Sequence, residues 1–305
     1  MRAMTAIDLN PQAGVRLLQI GPEDAGQRID NYLLRQLKGV PRSFIYRILR
    51  RGEVRVNRGR IKAEYRLKDG DQVRVPPVRT AAPAPKAERG DATARLEQCI
   101  LYEDERLLVI DKPAGMAVHG GELVHRLDRE TSGCLLIAKK RSELRRLHEL
   151  LRAGRVEKRY LALVLGRWQT GERRVDAPLR KNQLRGGERI VTVTAEGKAA
   201  DTLFRPLDIR TRASLMEIAL GTGRTHQIRV HSAHVGHPLA GDEKYGDGEF
   251  NRQMRGLGLK RLFLHAHSIA YGDPDNGRDI HVSSPLPEEL RAVLDRLSAG
   301  DAEQA

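Results

Sequence analysis

One short string concentrates residue types able to do chemistry: His125-Arg126-Leu127-Asp128-Arg129-Glu130-Thr131-Ser132-Gly133. A carboxylate stands between two arginines in a turn that runs directly into the apolar segment Cys134–Ala138. Neighbouring cations favour the ionised carboxylate, which suits a nucleophile or an electrostatic stabiliser better than a proton donor. Taken alone, the same residues also fit an ordinary Asx turn closed by Thr131 and Ser132. A second candidate is the group His226, His231, His234 and His237. Zinc sites use such clusters, but the order matches no metal motif. His226 and His231 fall on an expected strand, and no Cys or acidic ligand adjoins them, so no metal is expected. Gly221-Thr222-Gly223-Arg224 has the look of a phosphate loop but lacks the Lys-Ser/Thr that completes one.

Apolar runs and breakers set out the elements around these residues. Leu107–Ile110, Cys134–Ala138 and Tyr160–Val164 read as buried strands, with Leu144, Leu147, His148 and Leu151 on one face of a helix between the second and third. Alternation around 189–194, 202–207 and 214–219 adds further strands. The fold class expected is α+β, with a large mixed, mainly antiparallel sheet flanked by helices and loops. Nearer the N-terminus, Ile29, Tyr32, Leu33 and Leu37 share one helical face. A second helix is expected to be capped by Ser43 and to carry Phe44, Ile45, Ile48 and Leu49. Val54 and Val56, an Asn57-Arg58-Gly59 turn, and Val73 and Val75 after Asp69-Gly70-Asp71 complete a small α/β module. The domains expected are a flexible tail over 1–25, this module over 26–76, a Pro/Ala-rich linker over 77–95 and a larger domain over 96–298.

The chain has 305 residues, 54 Lys or Arg against 40 Asp or Glu, and a formal charge of +14. That excess favours a polyanionic partner. Residues 1–75 alone hold 16 of the cations and only 8 of the acids, so the small module is the electrostatic handle. Two cysteines rule out a disulfide framework and fit a reducing cytoplasm. No membrane-spanning run or signal pattern is evident.

The string RIDNYLLRQL through LKDGDQVRV resembles an S4 domain, a small RNA-binding module. That resemblance implies that Arg42, Arg47, Arg50, Arg51 and Arg55 face RNA phosphates, giving affinity without sequence readout. Over 96–297, the chain resembles the RluA family of pseudouridine synthases. The blocks that carry the likeness are KPAGMAVH from Lys112, HRLDRETSG from His125, KRYLA from Lys158, GRTHQIRVH from Gly223, GHPLAGD from Gly236 and RLFLHA from Arg261. The resemblance implies cofactor-free isomerisation of uridines in structured RNA, notably large-subunit ribosomal RNA, by a cytoplasmic monomer. Asp128 would be the catalytic carboxylate, attacking C1′ or C6 or stabilising charge at the sugar. Arg229 would pair with it. Tyr160 would pack on the uracil and could assist proton removal from C5. Arg126 would enter the RNA stack, Ile228 would wall the base, and Lys112, Arg224 and His226 would contact substrate. The alternative is a non-catalytic RNA-binding or ribosome-assembly factor on the same fold.

One departure stands out. Only Gly120-Gly121-Glu122-Leu123-Val124 separate His119 from His125, where the family has a sizeable stretch of loop and helix. Both flanking motifs are intact, so the expectation is a physical break at Gly121/Glu122 and not a shortened enzyme.

Overall fold

Runs of β-branched and leucine side chains with strict breakers build two bodies, Met1–Thr93 and Ala94–Ala305. The computed structural model describes residues 14–37, 39–78, 97–118, 123–183 and 189–302. The Gly121/Glu122 junction and almost all of the 77–95 segment lie outside the described residues.

In the first body, strand β1 (Arg16–Gln19) precedes helices α1 (Ile29–Gln36) and α2 (Arg42–Arg50), then β2 (Arg55–Val56), β3 (Gly59–Arg60) and β4 (Gln72–Val75). The sheet order is β1-β4-β2-β3, with antiparallel neighbours. Ile29, Leu33, Ile45, Ile48, Val54, Val73 and Val75 form its core, each at most 1% exposed. Two expectations are corrected. The segment assigned to a flexible 1–25 tail contains β1, an edge strand whose pairing with β4 comes from its partner. Its own pattern is uninformative, since Leu17 is exposed and Leu18 only half-buried. Ser43 does not cap α2. Pro41 is the N-cap, with a fixed φ of −59° and a carbonyl that accepts from the amides of Phe44 and Ile45. The other end follows the sequence. Gly52, at φ +69°, closes α2 with its own and the Glu53 amide donating back to Leu49 and Ile48, a Schellman cap.

In the second body, nine strands form one sheet: β5 (Ile100–Glu103), β6 (Leu107–Lys112), β7 (Ser132–Ala138), β8 (Val156–Leu165), β9 (Arg173–Asp176), β12 (Asp201–Ile209), β13 (Ala213–Leu220), β14 (Leu264–Asp273) and β15 (Arg278–Ser283). The order is β5-β6-β7-β14-β8-β13-β12-β9, with β15 also on β14. Every pairing is antiparallel except β7 with β14. A separate ribbon joins β10 (Leu179–Gln183) to β11 (Arg189–Val193). Helix α3 (Arg141–Arg152) covers one face through Leu144, Leu147 and Leu150, against Leu107, Leu136 and Ile269. Around the opposite core lie Leu135, Tyr160, Phe204, Met216, Ile218 and Ile228. Helices α4 (Gln227–His234), α5 (Gly248–Gly256) and α6 (Glu288–Ala302) complete the body. The strand expected through His226–His231 is instead α4. Gln227, Ile228, Val230, His231 and Ser232 are buried, three of them polar, so hydrophobicity shows no clear helical period although His234 is exposed.

The parallel crossing of β7 and β14 explains one residue of the HRLDRETSG string. Gly133 has φ +104°, and a Cβ there would lie 2.2 Å from the Ala266 carbonyl oxygen. Neither the backbone conformation nor the space admits a side chain. Gly133→Ala is therefore expected to destabilise the protein by roughly 3 kcal/mol or more. A thermal midpoint unchanged from wild type would disprove this account of the crossing.

Candidate active site

Asp128 opens a tight turn immediately before β7, with the Thr131 amide donating to its carbonyl at 3.1 Å. Three neighbours fix that turn. His125 turns Nε2 back to accept the Leu136 amide at 3.2 Å. Burial pushes this imidazole down to about 4, so it stays neutral and keeps the lone pair that bond needs. Arg129 turns away from Asp128 and donates to the Gly115 carbonyl at 3.0 Å, while the Gly115 amide donates to Arg129 O at 2.9 Å. Lys112 is fully buried, and its ammonium donates to the carbonyls of Pro113, Met116 and Arg129 at 2.8, 3.1 and 3.0 Å. Burial lowers it to about 8, but three acceptors for three N–H bonds match the charged form. Lys112, expected to contact substrate, instead ties the 112–116 loop to the Asp128 loop.

A cleft of about 630 Å³ opens beside that turn. Asp128, Arg126, Tyr160, Arg224, His226, Ile228 and Arg229 all line it, so the structure gathers seven of the eight residues expected there. Arg126 is exposed at the edge and Ile228 is buried in the wall. Arg224 is held by a bond from Nε to the Ala199 carbonyl at 3.0 Å. Tyr160 is buried, and burial followed by the Asp128 charge pushes its phenol above the ordinary tyrosine range. It therefore keeps its proton.

The partner expected for Asp128 has a stronger one of its own. Arg229 Nη1 lies 3.7 Å from Asp128 Oδ2, an ion pair without hydrogen-bond geometry. Its Nε and Nη2 make a fork onto Asp242 at 2.7 and 2.6 Å. Burial alone would raise Asp242, but that fork and the amides of Lys244 and Tyr245 hold it below the usual carboxylate range. The Tyr245 ring lies under the Arg229 guanidinium, 5.0 Å from its centroid. The Tyr245 hydroxyl oxygen accepts the Val191 amide at 3.0 Å and lies 2.9 Å from His226 Nδ1. Its own proton is then free for Nδ1, which leaves Nε2 of His226 as the N–H, 3.9 Å from Asp128. Burial lowers His226, so the neutral ring is favoured. His226 also adopts φ +53° at the start of α4, an uncommon conformation for a non-glycine residue. Asp242 ends the GHPLAGD block but, like Tyr245, was given no role from sequence. Of the other three histidines, His231 bonds Thr202 and the Ala177 carbonyl, His237 bonds the Leu165 carbonyl, and His234 is exposed. In the first body, Arg42, Arg47, Arg50, Arg51 and Arg55 are all exposed.

The lysine staple makes a prediction about stability. Lys112→Met keeps length and bulk but removes the side-chain donor of the Pro113 and Met116 carbonyls, while the Arg129 carbonyl keeps the Gly115 amide. Each buried unsatisfied group costs about 1–3 kcal/mol, so a loss of roughly 2 kcal/mol or more is expected by denaturant unfolding. A loss under about 1 kcal/mol would show the loops to be held by other bonds.

The RNA pseudouridylate synthase family model matches residues 121–234, and the S4 domain model matches 27–73. "Ribosomal large subunit pseudouridine synthase C" of Haemophilus influenzae is 51% identical, over 93% of this chain and 96% of its own. The protein of that name from Escherichia coli K12 is 50% identical, over 93% and 97%. The solved structure of human RNA pseudouridylate synthase domain containing 4 superposes with a TM-score of 0.58 at 25% identity, covering 68% of this chain and 96% of its own. With half of its residues shared along nearly its full length, the chain belongs to the RNA pseudouridine synthase family and carries an S4 domain at its N-terminus.

Proposed function

We propose that this isomerase converts uridines to pseudouridine in large-subunit ribosomal RNA, with Asp128 as the catalytic carboxylate. The observation that carries the reading is the charge of the cleft. Asp128 is the one carboxylate among its described lining residues, which include Arg126, Arg152, Lys158, Lys181, Arg224 and Arg229. Hydrolysis of a glycosidic bond uses two carboxylates, one to protonate the leaving group and one to activate water. A single ionised carboxylate suits a different task. It can attack C1′ or C6, or stabilise positive charge at the sugar, while the N1–C1′ bond breaks. The uracil then turns, C5 bonds to C1′, C5 gives up its proton and N1 gains one. The balance needs no oxidant or reductant.

The other residues take roles that follow from where they sit. Arg229 and His226 face Asp128 and orient it. Tyr160 and Ile228 form the walls against which a flipped uracil packs, and Arg126 at the rim is placed to fill the gap in the RNA stack. A phenol held protonated is a poor base, so Tyr160 serves packing better than removal of the C5 proton. Arg224 contributes a phosphate contact at the mouth. The exposed arginines of the S4 domain bind RNA backbone. Residues 26–76 act as this RNA-binding unit, and residues 96–298 as the catalytic one. The enzyme works as a cytoplasmic monomer; among the described residues no helix is long and apolar enough to cross a membrane.

Two measurements test the assignment. Asp128→Ala is expected to abolish pseudouridine formation on ribosomal RNA from a strain lacking the protein, while RNA affinity stays within about threefold. Turnover within tenfold of wild type would remove Asp128 from the chemistry. Tyr245→Phe keeps the ring under Arg229 but deletes the bond to His226, worth about 1–1.5 kcal/mol, so kcat should fall roughly tenfold with KM nearly constant. A hydroxyl that donates to Nδ1 favours the neutral ring, so its loss should move the acid limb of kcat to higher pH in the variant. A change confined to KM would place Tyr245 in binding only.

A further inference from the structure

Most of the large hydrophobic side chains in the first body are enclosed, and Tyr46 is not. Among the described residues, it is the only aromatic one of the exposed large hydrophobics, at 43%. It sits on α2, whose buried side carries Ile45, Ile48 and Leu49 and whose solvent side carries Arg42, Arg47 and Arg50 with no acidic residue in the helix. Helical spacing places Arg42 and Arg50 one turn to either side of Tyr46 along the same ridge. Arg47 lies flat over Phe44, 4.5 Å from that ring's centroid.

Tyr46 is exposed but not loose. Its hydroxyl donates to Asp30 Oδ2 at 3.1 Å. Asp30 is itself 2% exposed and fixed by the Arg28 fork at 3.1 and 2.7 Å and by the Asn31 amide at 2.8 Å. One end of the ring is thereby pinned to a buried anchor while the rest stays in water. A half-exposed aromatic ring held at one end, with arginines one helical turn to either side, is what an unpaired base requires, because stacking is tolerant of sequence and the cations hold the adjoining phosphates.

We propose that Tyr46 is a base-stacking platform, and that the S4 domain binds an unpaired nucleotide there in addition to RNA phosphates. The occupant is single-stranded or looped RNA, not a continuous duplex, whose bases are already stacked on one another. The proposal rests on the reading of this domain as RNA-binding, and the two separate in a salt titration. Stacking is insensitive to salt, whereas each lost phosphate contact on a single strand lowers the log–log salt slope by about 0.7.

Binding of the full-length protein to an oligouridylate and to a blunt RNA duplex is measured across ionic strength for four variants. Tyr46→Ala is expected to weaken oligouridylate binding on the order of tenfold with the slope unchanged, and duplex binding hardly at all. Tyr46→Trp, which keeps a stacking face, should bind oligouridylate within about threefold of wild type, and the thermal midpoint of each variant checks the fold. Arg42→Ala and Arg50→Ala should each flatten the slope. If Tyr46→Ala binds like wild type while the arginine variants flatten the slope, the platform is refuted and the phosphate-binding face stands. If all three alanine variants are silent, both are refuted. An equal loss on oligouridylate and duplex also refutes stacking.

Discussion

The fork between Arg229 and Asp242 is the interaction on which the site depends. Two charges withdrawn from water gain little net stability as a pair, so the fork is better understood through what it orients. Asp242 receives Arg229 Nε and Nη2 and the amides of Lys244 and Tyr245. Four donors on two oxygens leave the carboxylate no freedom to turn. Arg229 is therefore held at a single angle, with Nη1 as the nitrogen facing Asp128. The Asp242 carbonyl adds the Gly246 amide and the Asn251 side chain, so α5 is tied to the same point. Tyr245 then reaches both the ribbon, through Val191, and His226. Helix α4, the start of α5 and strand β11 thus converge on one side of the cleft.

The other side is held without buried ion pairs. His125, Arg129 and Lys112 all bond backbone groups, and together they pin the Asp128 turn to β7 and to the 112–116 loop. Backbone carbonyls do not titrate, so these ties persist wherever the donors stay charged or, for His125, neutral. The two flanks meet across the β7/β14 crossing, where Gly133 allows the strands to touch. A carboxylate is thereby placed within 4 Å of two nitrogens that belong to a distant part of the chain.

Much of this was legible from sequence, for identifiable reasons. Strands such as Cys134–Ala138 and Tyr160–Val164 announce themselves because a buried strand is a short apolar run between breakers. The turn at Asp128 was legible as a turn before a strand, but alone it fitted an ordinary Asx turn, and only the accompanying motifs gave it a family. Helix α4 was not, since the buried polar residues Gln227, His231 and Ser232 erase the hydrophobic period and leave Ile228 and Val230 looking like alternation. The direction of charged side chains was hidden as well. Arg126, Arg129 and Arg229 are equivalent by type, yet one points to the rim, one to Gly115 and one to Asp242. Lys112 looks like a substrate contact until its three carbonyl partners are seen. Tyr245 gave no local signal and Asp242 only a place in the GHPLAGD block, because their importance lies in what they touch.

The charge distribution of the cleft bears on how the base is kept after the glycosidic bond breaks. Uracil leaves with negative charge spread over its ring, while positive charge develops at the sugar. Under the proposed role of Asp128, a carboxylate at the sugar and cations elsewhere in the lining would stabilise both halves of that separation at once. Lys158 belongs to the second group, lining the cleft, though burial lowers its affinity for a proton. Ile228, Leu264 and the ring of Tyr160 supply apolar parts of the lining, so a base entering the cleft meets apolar walls beside cations.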